Sequence, residues 1–275
     1  MTGGCERIDT LRLAQANGST PTEWPEAATS LRLPAETDAD GRLWLPVSVD
    51  GSPPVPFLLQ ASAGAPALTG ARPSGPEGGG AGRVRLDGAL LPDIAGGVLV
   101  RNRRLSLGTA ALLHQTVLLV AAEDWPHVRP AGGAAGVLGY DLLRRYVVEL
   151  DAAGDSVVLH RSGFDFAALP DVRRLAVLSR RPYFEASLDP GGGDERWVRL
   201  LLEPADPTAL CLDRPAGPDA ELELGGRRLR PAAVPCSGPP ADAAVRDGVL
   251  GAGALGVLRV VIDYESSRIG FAPLP

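Results

Sequence analysis

The residue types that most often carry enzyme chemistry are sparse in this chain, and their spacing excludes the common arrangements. Ser62 lies in Ala61-Ser62-Ala63-Gly64, which is not the Gly-x-Ser-x-Gly spacing of a nucleophile elbow, and the parallel strand-then-helix context that elbow needs is missing. Its hydroxyl is expected to satisfy a turn backbone instead. His114, His127 and His160 have no close metal-ligand spacing with each other or with the cysteines, so no metal site is expected. Gly78-Gly79-Gly80 is followed by neither Lys-Ser/Thr nor a signalled helix, which disfavours a phosphate cradle. Arg101-Asn102-Arg103-Arg104 and Arg227-Arg228-Leu229-Arg230 are basic clusters at expected hairpin turns, where charge is ordinarily solvated. A net charge of −6 argues against nonspecific nucleic-acid binding, and no apolar run reaches the length of a membrane span. No cofactor is expected.

The strongest signal is in the elements. Gly136–Asp151, GVLGYDLLRRYVVELD, returns as Gly248–Asp263, GVLGAGALGVLRVVID, with the same offset at both ends (248 − 136 = 112 and 263 − 151 = 112). Ser156–Leu159 falls opposite Arg268–Phe271 at that offset too. A period this long fits a duplicated half-domain better than a solenoid unit. In each copy Val-Leu between two glycines suits a tight buried crossing, at Gly136 and Gly139 and again at Gly248 and Gly251. A short helical turn and a β-branched strand ending in Asp should follow.

This pattern resembles the closing segment of retropepsin-like and pepsin-like aspartic proteases, including the bacterial aspartyl-protease family. The resemblance runs from about Leu43 to Phe271 and is specific in this second motif of each half. It implies an all-β, two-lobed pepsin-like acid-protease fold (a duplicated retropepsin-like unit), with short helices after each Gly-Val-Leu-Gly. It also implies an upstream strand in each lobe ending in Asp-Thr/Ser-Gly, the two aspartates together activating a water.

Here the sequence departs from the family. Leu43–Leu68 has the expected layout of a strand, an Asp50-Gly51 hairpin turn and a second strand ending Phe57-Leu58-Leu59. The position the resemblance makes catalytic holds Gln60, followed by Ala61-Ser62. In the second half Val198–Leu202 leads into Glu203-Pro204-Ala205, so Glu203 stands in the place of the second aspartate. Aspartic proteolysis needs two carboxyls sharing one proton, one as base and one as acid. Gln60 does not titrate, and no Asp or Glu lies between Asp50 and Glu77 to replace it. Glu203 is one methylene longer than Asp, and Pro204 removes a backbone donor from its turn.

Two functions stand against each other. The first is a pseudoprotease that binds a peptide or protein in the interlobe cleft, lined by Gln60, Ala61, Ser62, Glu203, Pro204 and Ala205. Gly79 and Gly80 would belong to a mobile flap over that cleft. The second is an active peptidase or other hydrolase with a rearranged site, Glu203 or Asp206 acting as a lone general base.

Around the site, 34 Gly and 26 Pro in 275 residues favour many short strands over helices, and 45% hydrophobic residues are ample for a core. Residues 1–42 read as an N-terminal extension and linker, 43–160 as the first lobe, 161–180 as an interlobe linker and 181–275 as the second lobe. The expected strands include Gly97–Arg101, Arg104–Leu107 and Gln115–Val120, with turns at Arg101-Asn102 and Gly108-Thr109. Met1–Cys5 resembles a bacterial lipoprotein cleavage box with Cys5 as the lipidated residue, although no apolar stretch precedes it. Export and a cytoplasmic home both stay open. So do two states for Cys211 and Cys236, paired if exported or buried as free thiols. The expected state of assembly is a monomer, a pseudo-dimer of lobes.

Overall fold

The computed structural model describes residues 12–13, 15–69, 83–86, 90–91, 94–125, 135–161, 163–192, 194–236 and 245–274. Short strands β1 (Thr22–Glu23), β2 (Ser30–Pro34) and β3 (Glu36–Thr37) come first, then the hairpin β4 (Leu43–Val49) and β5 (Val55–Leu59). Strands β6 (Ala67–Thr69), β7 (Arg83–Arg85), β8 (Gly96–Leu107) and β9 (Ala110–Val120) follow. The first repeat closes with β10 (Ala135–Leu138), helix α1 (Tyr140–Leu143), β11 (Val147–Asp151) and β12 (Ser156–His160). Next come β13 (Asp171–Leu178), β14 (Arg181–Asp189), β15 (Arg196–Glu203), β16 (Leu210–Leu212), β17 (Glu221–Leu224) and β18 (Arg227–Leu229). The second repeat closes with β19 (Gly248–Gly251), helix α2 (Ala252–Leu255), β20 (Leu258–Asp263) and β21 (Arg268–Pro273). Both expected short helices thus stand directly after a Gly-Val-Leu-Gly strand. No helix among the described residues is long and apolar enough to cross a membrane.

Two compact units are present: the described residues within Met1–Ala28 and Trp44–Leu142, and those within Thr29–Leu43 and Leu143–Pro275. In the first unit β9, β6, β10, β5, β4 and β8 pair in that order, and β8 pairs back to β9, closing a six-stranded barrel. Closure removes free edges and buries Trp44, Leu45, Phe57, Leu59, Leu118 and Val137. Arg101-Asn102, expected as a turn, is instead a bulge inside the single long strand β8. The β8–β9 register shifts on both sides of Arg103, and Asn102 takes a φ of 60°, which an Asn side chain tolerates. The turn at Gly108-Thr109 is where the sequence places it.

Within the stretch expected as an extension, Asn17 is 1% exposed and hydrogen-bonds in both directions with β9. The Thr116 N–H donates to its Oδ1 at 2.7 Å, while its Nδ2 donates to the Thr116 carbonyl at 3.1 Å and to the Asp141 Oδ2 at 2.8 Å.

In the second unit a sheet runs β16-β19-β15-β14-β13-β21-β20-β11-β12-β2, with the β17–β18 hairpin paired to the end of β14. The near-continuous apolar runs of β11, β12 and β20 are those of strands buried on both faces. The two closing strands pair with each other, Val148↔Ile262, Glu149↔Val261 and Leu150↔Val260. Positions 149 and 261 differ by the repeat offset (261 − 149 = 112), so this ladder is symmetric about a local two-fold.

Strand β13, within the stretch expected as a linker, pairs with β21 through Asp171–Arg174 and then with β14 through Leu175–Leu178. Arg173 fills the fork where it changes partner. Its guanidinium holds the Asp171 carboxylate at 3.0 Å and donates to the carbonyls of Glu185 (3.1 Å) and Glu223 (3.2 Å). Cys211 and Cys236 form a disulfide with a Cα–Cα distance of 5.1 Å, so of their two possible states the bonded one is found. The bond packs with Tyr183, Leu201 and Val249.

Candidate functional site

The two site positions are built by the same local device, once in each unit. In the first unit β5 runs parallel to β10 in the register Phe57↔Gly136, Leu58↔Val137, Leu59↔Leu138. In the second, β15 runs parallel to β19 as Leu200↔Gly248, Leu201↔Val249, Leu202↔Leu250, Glu203↔Gly251. Strand register therefore gives Gln60, one residue past β5, and Glu203, the last residue of β15, equivalent places beside Gly139 and Gly251, independently of any motif.

A tight turn follows each. The Ala63 N–H donates to the Gln60 carbonyl at 2.9 Å, and the Asp206 N–H donates to the Glu203 carbonyl at 3.0 Å. The first residue of each short helix then fastens the turn. Tyr140 N–H donates to the Ala63 carbonyl at 2.8 Å, and Ala252 N–H donates to the Asp206 carbonyl at 2.6 Å. Such close approach leaves no room for a side chain at the last glycine of either motif. A Cβ on Gly139 would lie 2.6 Å from the Ala63 carbonyl oxygen, and one on Gly251 would lie 2.5 Å from that of Asp206. Gly136 and Gly248 occupy the buried strands that carry the register.

Gln60 is 4% exposed, and its backbone N–H donates to the Leu138 carbonyl at 3.0 Å. Its side-chain carbonyl oxygen meets no hydrogen-bond donor among the described residues. Ala61 and Ser62 are buried in the same turn.

Glu203 is 8% exposed, and its longer side chain folds back so that Oε1 accepts the Ala205 N–H at 3.1 Å. Pro204 contributes no donor, so this amide is the one the turn still offers. Asp206 is otherwise engaged. Its Oδ1 accepts both the Thr208 N–H (2.9 Å) and the Thr208 hydroxyl (2.5 Å), bonds that tie the carboxylate to its own loop.

Two neighbours of Glu203, Arg181 and Tyr183, and a third group beside them, Arg246, escaped the sequence reading. Continuing the β14–β15 register two residues beyond Tyr183↔Leu201 sets Arg181 across from Glu203. Burial lowers the pKa of Arg181, which is 2% exposed, and the charges of Tyr183 and Glu203 oppose that fall. Burial likewise raises the Tyr183 phenol. Arg246, also buried and near Arg181, grips Asp213 with Nε at 3.2 Å and Nη2 at 3.3 Å. The carboxyl at 203 thus sits in the field of a buried cation. The signal that would have found Arg181 was the β14–β15 hairpin itself, since its register fixes who faces whom.

Gly79, Gly80, His127 and Cys5 lie outside the described residues. Among the described residues no three His, Cys, Asp or Glu side chains are grouped so as to hold a metal ion. Chemically, one site position presents an amide and the other a carboxylate facing a guanidinium. The amide does not titrate, so the carboxylate is the one acid-base group of this pair.

No family model matches the chain, and no curated protein sequence matches it. Among solved structures, basic 7S globulin from soybean is similar, with a TM-score of 0.53 over 89% of this chain and 95% of that chain at 12% identity. Likeness at that identity shows the fold alone, which is all-β and pepsin-like.

Proposed function

We propose that this protein is a catalytically degenerate aspartic-protease-like protein, a pseudoprotease, that binds a peptide or protein where active proteases of this fold hold their substrate. The observation that carries the reading is the pair of equivalent turns at the ends of β5 and β15, one opening at Gln60 and the other at Glu203, which lies opposite Arg181. Proteolysis of the aspartic type needs a proton shared between two carboxyls. An amide has no titratable proton to share, so the carboxyl of Glu203 lacks the partner that this chemistry needs at the equivalent position. The bonds of Asp206 to Thr208 weigh against its service as a substitute base. The Cys211–Cys236 bond favours an oxidising compartment of the two that the sequence left open.

The test is an acidic-pH incubation with an unstructured peptide library, read by mass spectrometry. No cleavage is expected from the native protein. Cleavage that Glu203→Ala abolishes would overturn the proposal. The double change Gln60→Asp with Glu203→Asp is expected to stay slow while Arg181 remains, and adding Arg181→Gln to it should raise the rate.

A further inference from the structure

A second candidate surface lies on the second unit and includes neither Glu203 nor Asp206. Where β13 parts from β14, the outer face of β13, β14 and β15 forms an open groove of about 590 Å³. Val172, Arg174, Ala176, Glu185, Trp197 and Arg199 are among its lining residues. Pairing in the ladder puts Glu185 opposite Arg199 and Ser187 opposite Trp197, so these side chains share one face.

Trp197 is 71% exposed and Val172 is 41% exposed, each on a strand that buries its alternate residues elsewhere. A solvated tryptophan on a rigid strand is a large apolar area left open to water, the kind of anchor that interfaces use. The charges around it are unevenly settled. Arg173 is consumed by Asp171 and two carbonyls, and Arg199 reaches Glu185 at 3.0 Å. Arg174 is exposed and has no carboxylate partner among the described residues. The groove therefore carries one guanidinium more than its own carboxylates balance.

We infer that this groove docks an extended acidic peptide segment of a partner protein, an apolar side chain lying on Trp197 and a carboxylate meeting Arg174. Arg pairs with carboxylates in a planar, two-bond geometry, and an aromatic beside it adds apolar contact to that recognition. In an extended strand residues i and i+2 share a face, so a segment with an apolar residue and a Glu two positions apart presents both to the groove.

The probe is a fluorescein-labelled synthetic Glu/Leu peptide of repeating Leu-Ser-Glu-Ser, which sets Leu and Glu on one face of an extended strand, compared with the Lys/Leu peptide of repeating Leu-Ser-Lys-Ser. Binding is followed by anisotropy at low and physiological salt. The Glu/Leu peptide is expected to bind and the Lys/Leu peptide to bind far more weakly. Trp197→Ser should weaken binding about tenfold or more, as loss of an anchoring aromatic does. Arg174→Glu should reverse the preference between the two peptides. Both positions are exposed, and an unchanged thermal melt verifies that each variant is folded. Equal affinity for both peptides, unchanged affinity after Trp197→Ser, or no reversal by Arg174→Glu would overturn the inference. A concentration-dependent dimer in sedimentation velocity that Trp197→Ser abolishes would also overturn it, by assigning the groove to a second copy of this chain.

Discussion

Glu149 carries the clearest pH-dependent contact in the molecule. Its Oε2 lies 3.0 Å from His160 Nε2, and Arg259 Nη1 stands 3.5 Å from its Oε1. The hydrogen bond with His160 leads the effects that hold its pKa below the ordinary carboxylate value, with Arg259 adding to it and burial opposing. A carboxyl whose folded pKa is depressed adds stability that is fully present above its unfolded pKa and disappears as pH falls through the folded one. Glu149→Gln is therefore expected to destabilise by about 1 kcal/mol at neutral pH, the scale of one such hydrogen bond. The gap between the variant and the native protein should close in acid. Urea titrations from pH 7 down to pH 3 check both ends, and a gap that widened in acid would contradict the assignment.

At the scale of elements, the strand-turn-helix device that repeats in each unit rests on backbone packed against backbone at Gly139 and Gly251. Carbonyl oxygens cannot rotate away as a side chain can, so Gly139→Ala and Gly251→Ala should each cost about 3 kcal/mol or more. Urea midpoints measure this, and a neutral effect at either glycine would show that the turns are looser than described. These elements were legible in the sequence because the device needs small residues and an apolar pair at fixed spacing, and the second copy repeats them. Arg181 was not legible, since its meaning depends on a strand partner 22 positions away (203 − 181 = 22). Nor was the bulge at Asn102, because a left-handed Asn reads equally well as a turn or as a kink in one strand. Strand β13 hid for a related reason. Asp171-Val172-Arg173-Arg174 is too charged to look like sheet, yet Arg173 is there to satisfy carbonyls where two ladders separate.

For the whole molecule, abundant glycine and proline with little helical periodicity gave the all-β class, and the constant offset of 112 gave the duplication. Neither feature revealed the state of Cys211 and Cys236. The Cys211–Cys236 bond spans 25 residues, and a loop of that size corresponds to about 3.5 kcal/mol by chain entropy. Reduction under native conditions is expected to lower the unfolding free energy by that amount. A parallel Cys211→Ser, Cys236→Ser variant separates loss of the cross-link from an effect of the reductant.

The pairing of β11 with β20 has an ancestral consequence. A residue on a two-fold axis between identical chains meets its own copy, so a self-associating ancestor of half this length must have set like against like at that point: two glutamates, which repel, or two valines, which pack. Glu149 beside Val261 is a mixed couple that identical subunits can never make. A chain that carries both copies covalently is free of that constraint, and its copies differ in the same way at their equivalent positions, an amide at Gln60 and an acid at Glu203.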